Sequence, residues 1–376
     1  MAKYQICTVC IMDTTDEQID FDSSGQCNHC KAAETNLKFF AQLRNDSTDA
    51  FGALINEIRQ NPGKEGFHGI IGVSGGVDSS FLLHKLKESG LKLLAVHVDA
   101  GWNSIEAVRN INKMVTDLDL DLETIVINWN EIKELQIAYL RSGVINQDVP
   151  QDHAFFSSLY KLARKYDIKY VISGSNFATE SILPRSWGQN AMDGRQLIDI
   201  QKKYGQGQLK TYPITYLHDL YFHTYVKRDY KVVAPLNLLN YSKEYAVQQL
   251  KEVYEWEDYG GKHKESKFTD FFQEVYLPER FKIHKKRAHF SSLIINQELS
   301  REEALEILND SHIAELDRNN LVQFVSNKLG ISTLDLEAFM CLPFESDKTF
   351  RNQGYLNKLI DWAVNARNLL RRLAGK

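Results

Sequence analysis

Several features are scarce in this chain, and each shortage excludes something. No apolar run is long enough to span a bilayer. The opening Met1-Ala2-Lys3-Tyr4-Gln5 starts no secretory signal. Lysine and arginine number 45 against 49 aspartates and glutamates, a net charge of −4, so no overall positive field draws in nucleic acid. Cysteine is rare, with five in 376 residues, and four of them lie near the N-terminus. A reducing cytoplasm is the compartment that fits. The common mononucleotide loop, G-x-x-x-x-G-K-[ST], is absent. So are internal repeats and low-complexity stretches. What remains is a globular composition, too long for one ordinary core, with two or three domains expected.

The four clustered cysteines form two C-x-x-C knuckles, Cys7-x-x-Cys10 and Cys27-Asn28-His29-Cys30. Two such pairs about 15–20 residues apart match a zinc site rather than disulfides or free thiols. Four thiolates close a tetrahedral shell and leave no place for water, so the expected role is structural. His29 reads as a bystander of Cys30. The spacer carries Asp13, Asp16, Glu17, Asp20 and Asp22, which would repel phosphates and favour scaffolding or docking.

The stretch Ile70-Ile71-Gly72-Val73-Ser74-Gly75-Gly76-Val77-Asp78-Ser79-Ser80 organises the rest. Its β-branched start reads as a buried strand. Phe81 to Lys87 carries apolar residues at helical spacing, with Gly90 as a stop. Between them two adjacent glycines let the backbone bend sharply and approach a ligand. Hydroxyls and the first N–H groups of a helix then face whatever lies over the turn, an arrangement suited to phosphate. The bland reading is a glycine-rich turn.

After a short helix over Phe51–Arg59, strands and helices alternate. Leu93–Asp99 reads as a second strand, Thr124–Ile127 as a third, Tyr170–Gly174 as a fourth and Lys231–Leu236 as a fifth. Helices are expected over 104–118, 131–141 and 152–166. Such alternation implies an α/β fold with a doubly wound parallel sheet. Ligands collect at the carboxyl ends of its strands, which here are Ser74–Ser79, His97–Trp102 and Ser173-Gly174-Ser175-Asn176. Beyond Ser242 the chain reads as helical. The expected division is a zinc-binding module over 1–48, a nucleotide-binding α/β domain over 49–241 and a helical domain over 242–376.

Two later stretches admit both a functional and a plain reading. Asp258–Asp270 pairs Gly260 and Gly261 with Lys262, His263, Glu265 and Ser266, as either a substrate loop or a solvated turn. Lys282–His289 is locally basic, to neutralise an acidic substrate or simply to face solvent. Cys341 sits in an apolar string and reads as core.

The string Ser74-Gly75-Gly76-Val77-Asp78-Ser79 resembles the S-G-G-x-D-S loop of the PP-loop (N-type) ATP pyrophosphatases. Over nearly its full length the chain resembles the N-acetyl sugar amidotransferase family within that superfamily. The resemblance rests on the four cysteines, Ser74–Ser80, His97–Ser104, Asp152-His153-Ala154, Gly174–Glu180 and Gly261–Thr269. It implies ATP-dependent conversion of the acetamide of a bacterial surface-glycan sugar, as in O-antigen or pseudaminic or legionaminic acid, to an acetamidino group. AMP is transferred to the amide oxygen, pyrophosphate leaves, and ammonia displaces AMP. Zn²⁺ is then structural, and ATP with Mg²⁺ is the cofactor set.

The resemblance assigns the pyrophosphate cradle to Ser74, Gly75, Gly76, Ser79 and Ser80. Asp78 orients the loop or holds Mg²⁺; otherwise it is a helix cap. His97, Val98 and Asp99, with Gly174, are expected near the nucleotide. Asn176 and Glu180 are expected near the activated carbonyl, and Lys262 and His263 near a phosphate or sugar carboxylate. Ala2 and the setting of Cys341 leave no glutaminase nucleophile. Ammonia is therefore expected free or from a separate glutaminase with a cyclase-like barrel partner, with neither nucleic acid nor membrane involved. The main alternative is a tRNA-modifying PP-loop enzyme, thiolating or lysine-adding. Against thiolation stand the lack of a cysteine pair in the α/β domain and the acidic balance. A non-catalytic zinc adaptor is the third reading, since fold and loop alone do not prove turnover.

Overall fold

A computed structural model describes residues 4–45, 49–188, 190–258, 264–310 and 313–360. Five strands form one parallel sheet: β1 (Gly69–Gly72), β2 (Leu93–Asp99), β3 (Asp121–Val126), β4 (Tyr170–Ile172) and β5 (Lys231–Val233). Their order is β3-β2-β1-β4-β5, so the chain leaves β1 in both directions. In register, Ile70 lies beside Leu94 and Val171. The strands hold because side chains alternate between two buried faces. Ile70, Leu94, Val96, Val98 and Val171 enter one core. Ile71, Val73, Leu93, Ala95, Tyr170 and Ile172 enter the other.

The helices in chain order begin with α1 (Asn28–Asn45), α2 (Ala50–Arg59), α3 (Val77–Lys87) and α4 (Ile105–Asp117). Next come α5 (Trp129–Ser142), α6 (Val149–Lys165), α7 (Phe177–Glu180), α8 (Gly194–Tyr204) and α9 (Leu217–Tyr221). The remainder are α10 (Lys243–Tyr254), α11 (Lys267–Phe271), α12 (Leu277–Phe281), α13 (Lys285–Ile295), α14 (Arg301–Asp310), α15 (Glu315–Leu329) and α16 (Thr333–Met340). Helices α2, α3, α4 and α10 bury Ile58, Leu82, Ile111 and Leu250 against the Ile71 face. Helices α5, α6 and α8 cover the Ile70 face, together with Phe268, Tyr276, Val325 and Leu336 from the later helices. The region after Ser242 thus contributes to both layers.

The structure departs from the sequence reading at several places: β4 and β5 end earlier than expected, at Ile172 and Val233, and three further differences have a clear cause. Strand β3 begins at Asp121, three residues early, because an edge strand with alternating exposure gives no apolar run. The break at Val149-Pro150 is the first turn of α6, where proline lacks only a hydrogen bond that the helix does not need. Helix α1 buries only Cys30 and Ala33 and so carries no apolar stripe to announce it.

The N-terminal segment is clasped by the C-terminal helices. Arg287 of α13 donates to the Ile11 carbonyl at 2.6 Å and pairs with the buried Asp13 at 3.2 Å. Ser291 accepts from Ile11 N–H at 3.2 Å. Arg301 of α14 donates to the carbonyls of Cys7 and Cys10 at 3.0–3.3 Å. No described helix is long and apolar enough to cross a membrane.

Candidate functional site

The turn after β1 lies at the carboxyl edge of the sheet, where the strand order reverses. This is the general location of ligand crevices in open α/β sheets. Gly75 adopts φ +79°, and a Cβ there would stand 2.4 Å from the Ala107 carbonyl. Only glycine fits this bend against the start of α4. Asn110 donates to the Gly75 carbonyl at 3.4 Å and fixes the peptide. Gly76 is the N-cap of α3, and no side chain caps that helix. Its first turn therefore presents backbone amides and the positive end of the helix dipole toward the crevice. Ser74, Gly76, Asp78 and Ser79 keep partial exposure, whereas Gly75 and Ser80 are buried. Gly174, after β4, closes the other side. A Cβ on it would lie 3.0 Å from Ser79 N, so a larger residue would crowd the helix start. A pyrophosphate fits this donor set of small residues, amides and hydroxyls.

Asp78 sits one residue inside α3 and is not the cap. Its Oδ1 accepts from the Tyr241 hydroxyl and from Asn176 Nδ2, the latter at 3.3 Å. Burial, and then the charge of Asp78, raise the Tyr241 pKa, so the phenol remains a donor. Asn176 is buried and caps α7, its Oδ1 accepting from Thr179 N at 2.9 Å. Glu180 ends the same short helix. Asp78, Asn176 and Tyr241 thus bind three segments together at the turn.

At the end of β2, His97 Nδ1 donates to the Val73 carbonyl at 3.3 Å. That leaves Nε2 as the acceptor for Asn103 Nδ2 at 3.2 Å. The Asn103 amide also reaches Asp99 at 3.3 Å, and Gly101 N donates to Asp99 at 2.8 Å. Val98 turns its side chain into the core, so only its backbone faces the edge. The sheet brings His97, Asp99, Gly174, Asn176 and the Ser74–Ser79 turn to one rim. Lys262 and His263 lie outside the described residues.

The segment after them completes this rim. Ser266 bridges to Asn103, Ser104 N donates to the Glu265 carbonyl at 2.7 Å, and Lys267 N donates to the Trp102 carbonyl at 2.9 Å. Ser266 Oγ donates to Gln151 at 2.8 Å, and Thr269 Oγ1 donates to Asp148 at 3.1 Å. Lys328 of α15 stands 5.3 Å from the Trp102 ring and 5.5 Å from Trp129. Three groups unassigned in sequence meet here: Asp148, Asp152 and Lys285. Burial drives Asp148 well above the usual carboxylate range, with the nearby Asp152 charge adding to it. Burial pushes Asp152 up to about 6 against the pull of Lys285, and burial lowers Lys285 against the pull of both acids. Nothing local in the sequence gives Asp152 a role, and Lys285 sits within a basic run. Their meeting depends on tertiary packing.

That run is no patch. Lys286 pairs with Glu274 at 2.7 Å, Arg287 with Asp13, and His289 Nδ1 donates to the Thr179 carbonyl at 3.1 Å. Cys341 is exposed, not core. It follows α16, whose buried residues are Leu336 and Met340.

Two hollows flank the rim. A cavity of about 180 Å³ lies behind Asp78, among Arg44, Asn176, Asn237, Tyr241 and Glu298. It is smaller than ligand pockets usually are. A groove of about 660 Å³ is lined by Lys264, Lys267 and Lys286 together with Asp270, Glu274 and Asp317, a size within the range of ligand pockets.

The four cysteine sulfurs lie within 4.8 Å of one another and are fully buried. Cys7–Cys30, Cys10–Cys27 and Cys27–Cys30 separations are 3.7, 3.8 and 3.6 Å. Thiolates tetrahedral about one Zn²⁺ at about 2.3 Å stand about 3.8 Å apart. The residues therefore fit a single tetrahedral ion. Amides of Val9 and Met12 donate to Cys7 and Cys10 at 3.4 and 3.3 Å, as thiolate knuckles require. His29 is turned aside to Asp16 at 2.5 Å.

Residues 265–364 match the family model of the LPS biosynthesis protein WbpG-like C-terminal domain. No curated protein matches the chain. Similar solved structures include NMN synthetase from Francisella tularensis, at 13% identity and TM-score 0.34, covering 80% of this chain and 99% of that one. The NH3-dependent NAD synthetase from Campylobacter jejuni subsp. jejuni NCTC 11168, in complex with the nitrate ion, shows 14% identity, TM-score 0.30 and coverages of 85% and 99%. The U34-tRNA thiolase NcsA from Methanococcus maripaludis, with its [4Fe-4S] cluster, shows 15% identity, TM-score 0.34 and coverages of 84% and 90%.

Proposed function

We propose that this chain is an ATP-dependent, AMP-forming amidotransferase that converts the N-acetyl group of a bacterial surface-glycan sugar to an acetamidino group. The observation that carries the reading is the uncapped, glycine-bent turn Ser74–Ser79 at the reversal point of the sheet. The WbpG-like match over 265–364 supports a glycan substrate, and its first residues, Glu265–Lys267, lie across the end of β2.

An amide carbonyl is a weak electrophile with a poor leaving group. Moving AMP onto its oxygen corrects both faults. The turn amides and the Ser74 and Ser79 hydroxyls hold the departing pyrophosphate, so this step is positioning and charge stabilisation. Asp78, in the first turn of α3, and Asp99, at the end of β2, are the carboxylates that would hold the Mg²⁺ of an ATP complex, whose charge would offset that of the phosphates. The groove beside Lys264 and Lys267 receives the sugar, its mixed lining of lysines and acids offering both donors and acceptors to a polyol. The single ion held by Cys7, Cys10, Cys27 and Cys30 is Zn²⁺, with a structural role. Ammonia arrives free or from a separate glutaminase with its barrel partner, in the cytoplasm.

The test is direct. The protein is incubated with ATP, Mg²⁺, ammonium and, singly, UDP-N-acetylglucosamine, UDP-N-acetylgalactosamine or N-acetylneuraminate. Sugar-dependent release of AMP and pyrophosphate in equal amounts is expected. ADP and phosphate, or no dependence on any sugar, would overturn the reading. Salt-sensitive binding of bulk tRNA would instead favour the tRNA-modifying alternative.

A further inference from the structure

The acidic pair at the start of α6 has no part in the scheme so far, yet its position is specific. Helix α6 ends beside the entry to β1, since Lys64 N donates to the Tyr166 carbonyl at 2.8 Å. Its beginning therefore overhangs the exit of β1. Phe155 marks that exit, for a Cβ on Gly72 would stand 2.2 Å from its ring. Residues three apart share a helix face. Asp152 thus lies on the sheet side, one turn beyond Phe155, where β1 runs into Ser74–Ser79. Lys285, the first residue of α13, approaches from the C-terminal region and interacts with both acids.

The three groups are not equivalent. Asp148 Oδ1 is engaged by Thr269 Oγ1 at 3.1 Å and Gln151 Nε2 at 3.2 Å. Among the described residues, no hydrogen bond or ion pair reaches the Asp152 carboxylate or the Lys285 ammonium. Both are deep in the fold yet keep partial exposure, as groups lining a crevice do. Two acids face one lysine here, and burial pushes both acids toward the neutral form.

We propose that Asp152 is the proton acceptor for the nitrogen nucleophile, with Asp148 and Lys285 as positioning residues that set its charge. This rests on the amide-adenylation reading above. Ammonia adds to the adenylated carbon and the C–N bond forms. The C–O bond to AMP breaks, and its electron pair leaves with AMP. The nitrogen sheds one proton, which the Asp152 carboxylate takes, and the amidinium remains. The acid–base match is favourable, because a base works best when its pKa lies near the working pH, and Asp152 is held at about 6. The ionisable groups around it are Asp148, Lys285 and the Tyr212 phenol, with Glu265 acting on Asp148.

The two half-reactions separate this assignment from the one on which it rests. Sugar-dependent ATP–pyrophosphate exchange reports adenylation, and mass spectrometry of the sugar reports amidine formation. The sugar is the one among the three named above that gives most AMP with the wild-type protein. In Asp152→Asn, exchange should stay within about 3-fold of wild type while amidine formation from ammonium falls about 100-fold or more. Hydroxylamine, a better nucleophile that is neutral at neutral pH, should restore nitrogen transfer to within about 10-fold. The acid limb near pH 6 should vanish from the variant. Asp152→Glu should recover part of the transfer. Wild-type transfer in Asp152→Asn overturns the proposal, as does loss of exchange in both Asp152 variants, which would make the residue structural. No sugar-dependent exchange in the wild-type protein would instead refute adenylation itself and take this assignment with it.

Discussion

The Tyr241 hydroxyl donates to Oδ1 of Asp78, tying the chain just ahead of α10 to the first turn of α3. The Tyr241 ring packs on Phe81 with centroids 5.5 Å apart, so Tyr241→Phe should keep the packing and lose only the donor. Asp78 would then hold Asn176 as its remaining donor of the pair. Sugar-dependent AMP release is expected to fall about 10-fold, near 1.4 kcal/mol. Asp78→Ala and Ser79→Ala are expected to lose about 100-fold or more, near 2.7 kcal/mol. Turnover at the wild-type rate in both of these last variants would remove the phosphate-turn assignment.

Arg301 braces the four-cysteine cluster from outside, holding the Cys7 and Cys10 carbonyls. Such supporting contacts orient the ligands. Arg301→Ala should weaken metal binding about 10–100-fold, read by competition with a coloured chelator. Cys27→Ser should release the ion altogether. Because Arg287 and Ser291 also grip Ile11, metal loss should lower the melting point of the C-terminal helices along with the knuckles. A separate early transition confined to the N-terminus would contradict that coupling.

Gly75 and Gly90 form a matched pair for testing the turn. Both have positive φ, +79° and +67°. A Cβ on Gly90 meets nothing within 4 Å, but one on Gly75 meets the Ala107 carbonyl at 2.4 Å. Gly90→Ala should cost about 1–2 kcal/mol, the left-handed penalty alone. Gly75→Ala should cost more, because backbone must also shift, and should abolish AMP release. Urea midpoints compare the two; equal losses would mean that the turn is not packed as described.

The Ser74–Ser79 turn and the cysteine set were legible because each is written within a short stretch of chain. A strand, two glycines and a helix need no distant partner to be recognised, and neither do two C-x-x-C pairs. The buried strands were legible from their β-branched runs, while β3 was clipped because half of it faces solvent. The Asp148, Asp152 and Lys285 grouping was not legible. It joins residues more than a hundred positions apart, and no local pattern marks a lysine that turns inward from a basic run. The same run reads as a patch until folding sends Lys286 to Glu274 and Arg287 to Asp13.

His153, one residue beyond Asp152, sets an opposing pH dependence. Its Nδ1 donates to the Ala191 carbonyl at 2.6 Å, and its Nε2 accepts from Thr215 N at 3.0 Å. Burial lowers its pKa from 6.5 to about 4. Between those values the unfolded chain binds the extra proton, so stability is full above about pH 6.5 and drains away as pH falls toward 4. The whole effect is at most about 3 kcal/mol. Asp152 runs the other way. Its native pKa, about 6, exceeds the unfolded value of 3.8, so its contribution is full at low pH and is lost as pH rises through 6. Urea unfolding at about pH 5 and about pH 7.5 separates the two. Asp152→Asn should widen the loss of stability at the lower pH, because the His153 cost then stands unopposed. His153→Gln should shrink or reverse that loss, leaving the Asp152 trend. If His153→Gln kept the wild-type difference between the two pH values, the buried neutral imidazole would not be the group that titrates.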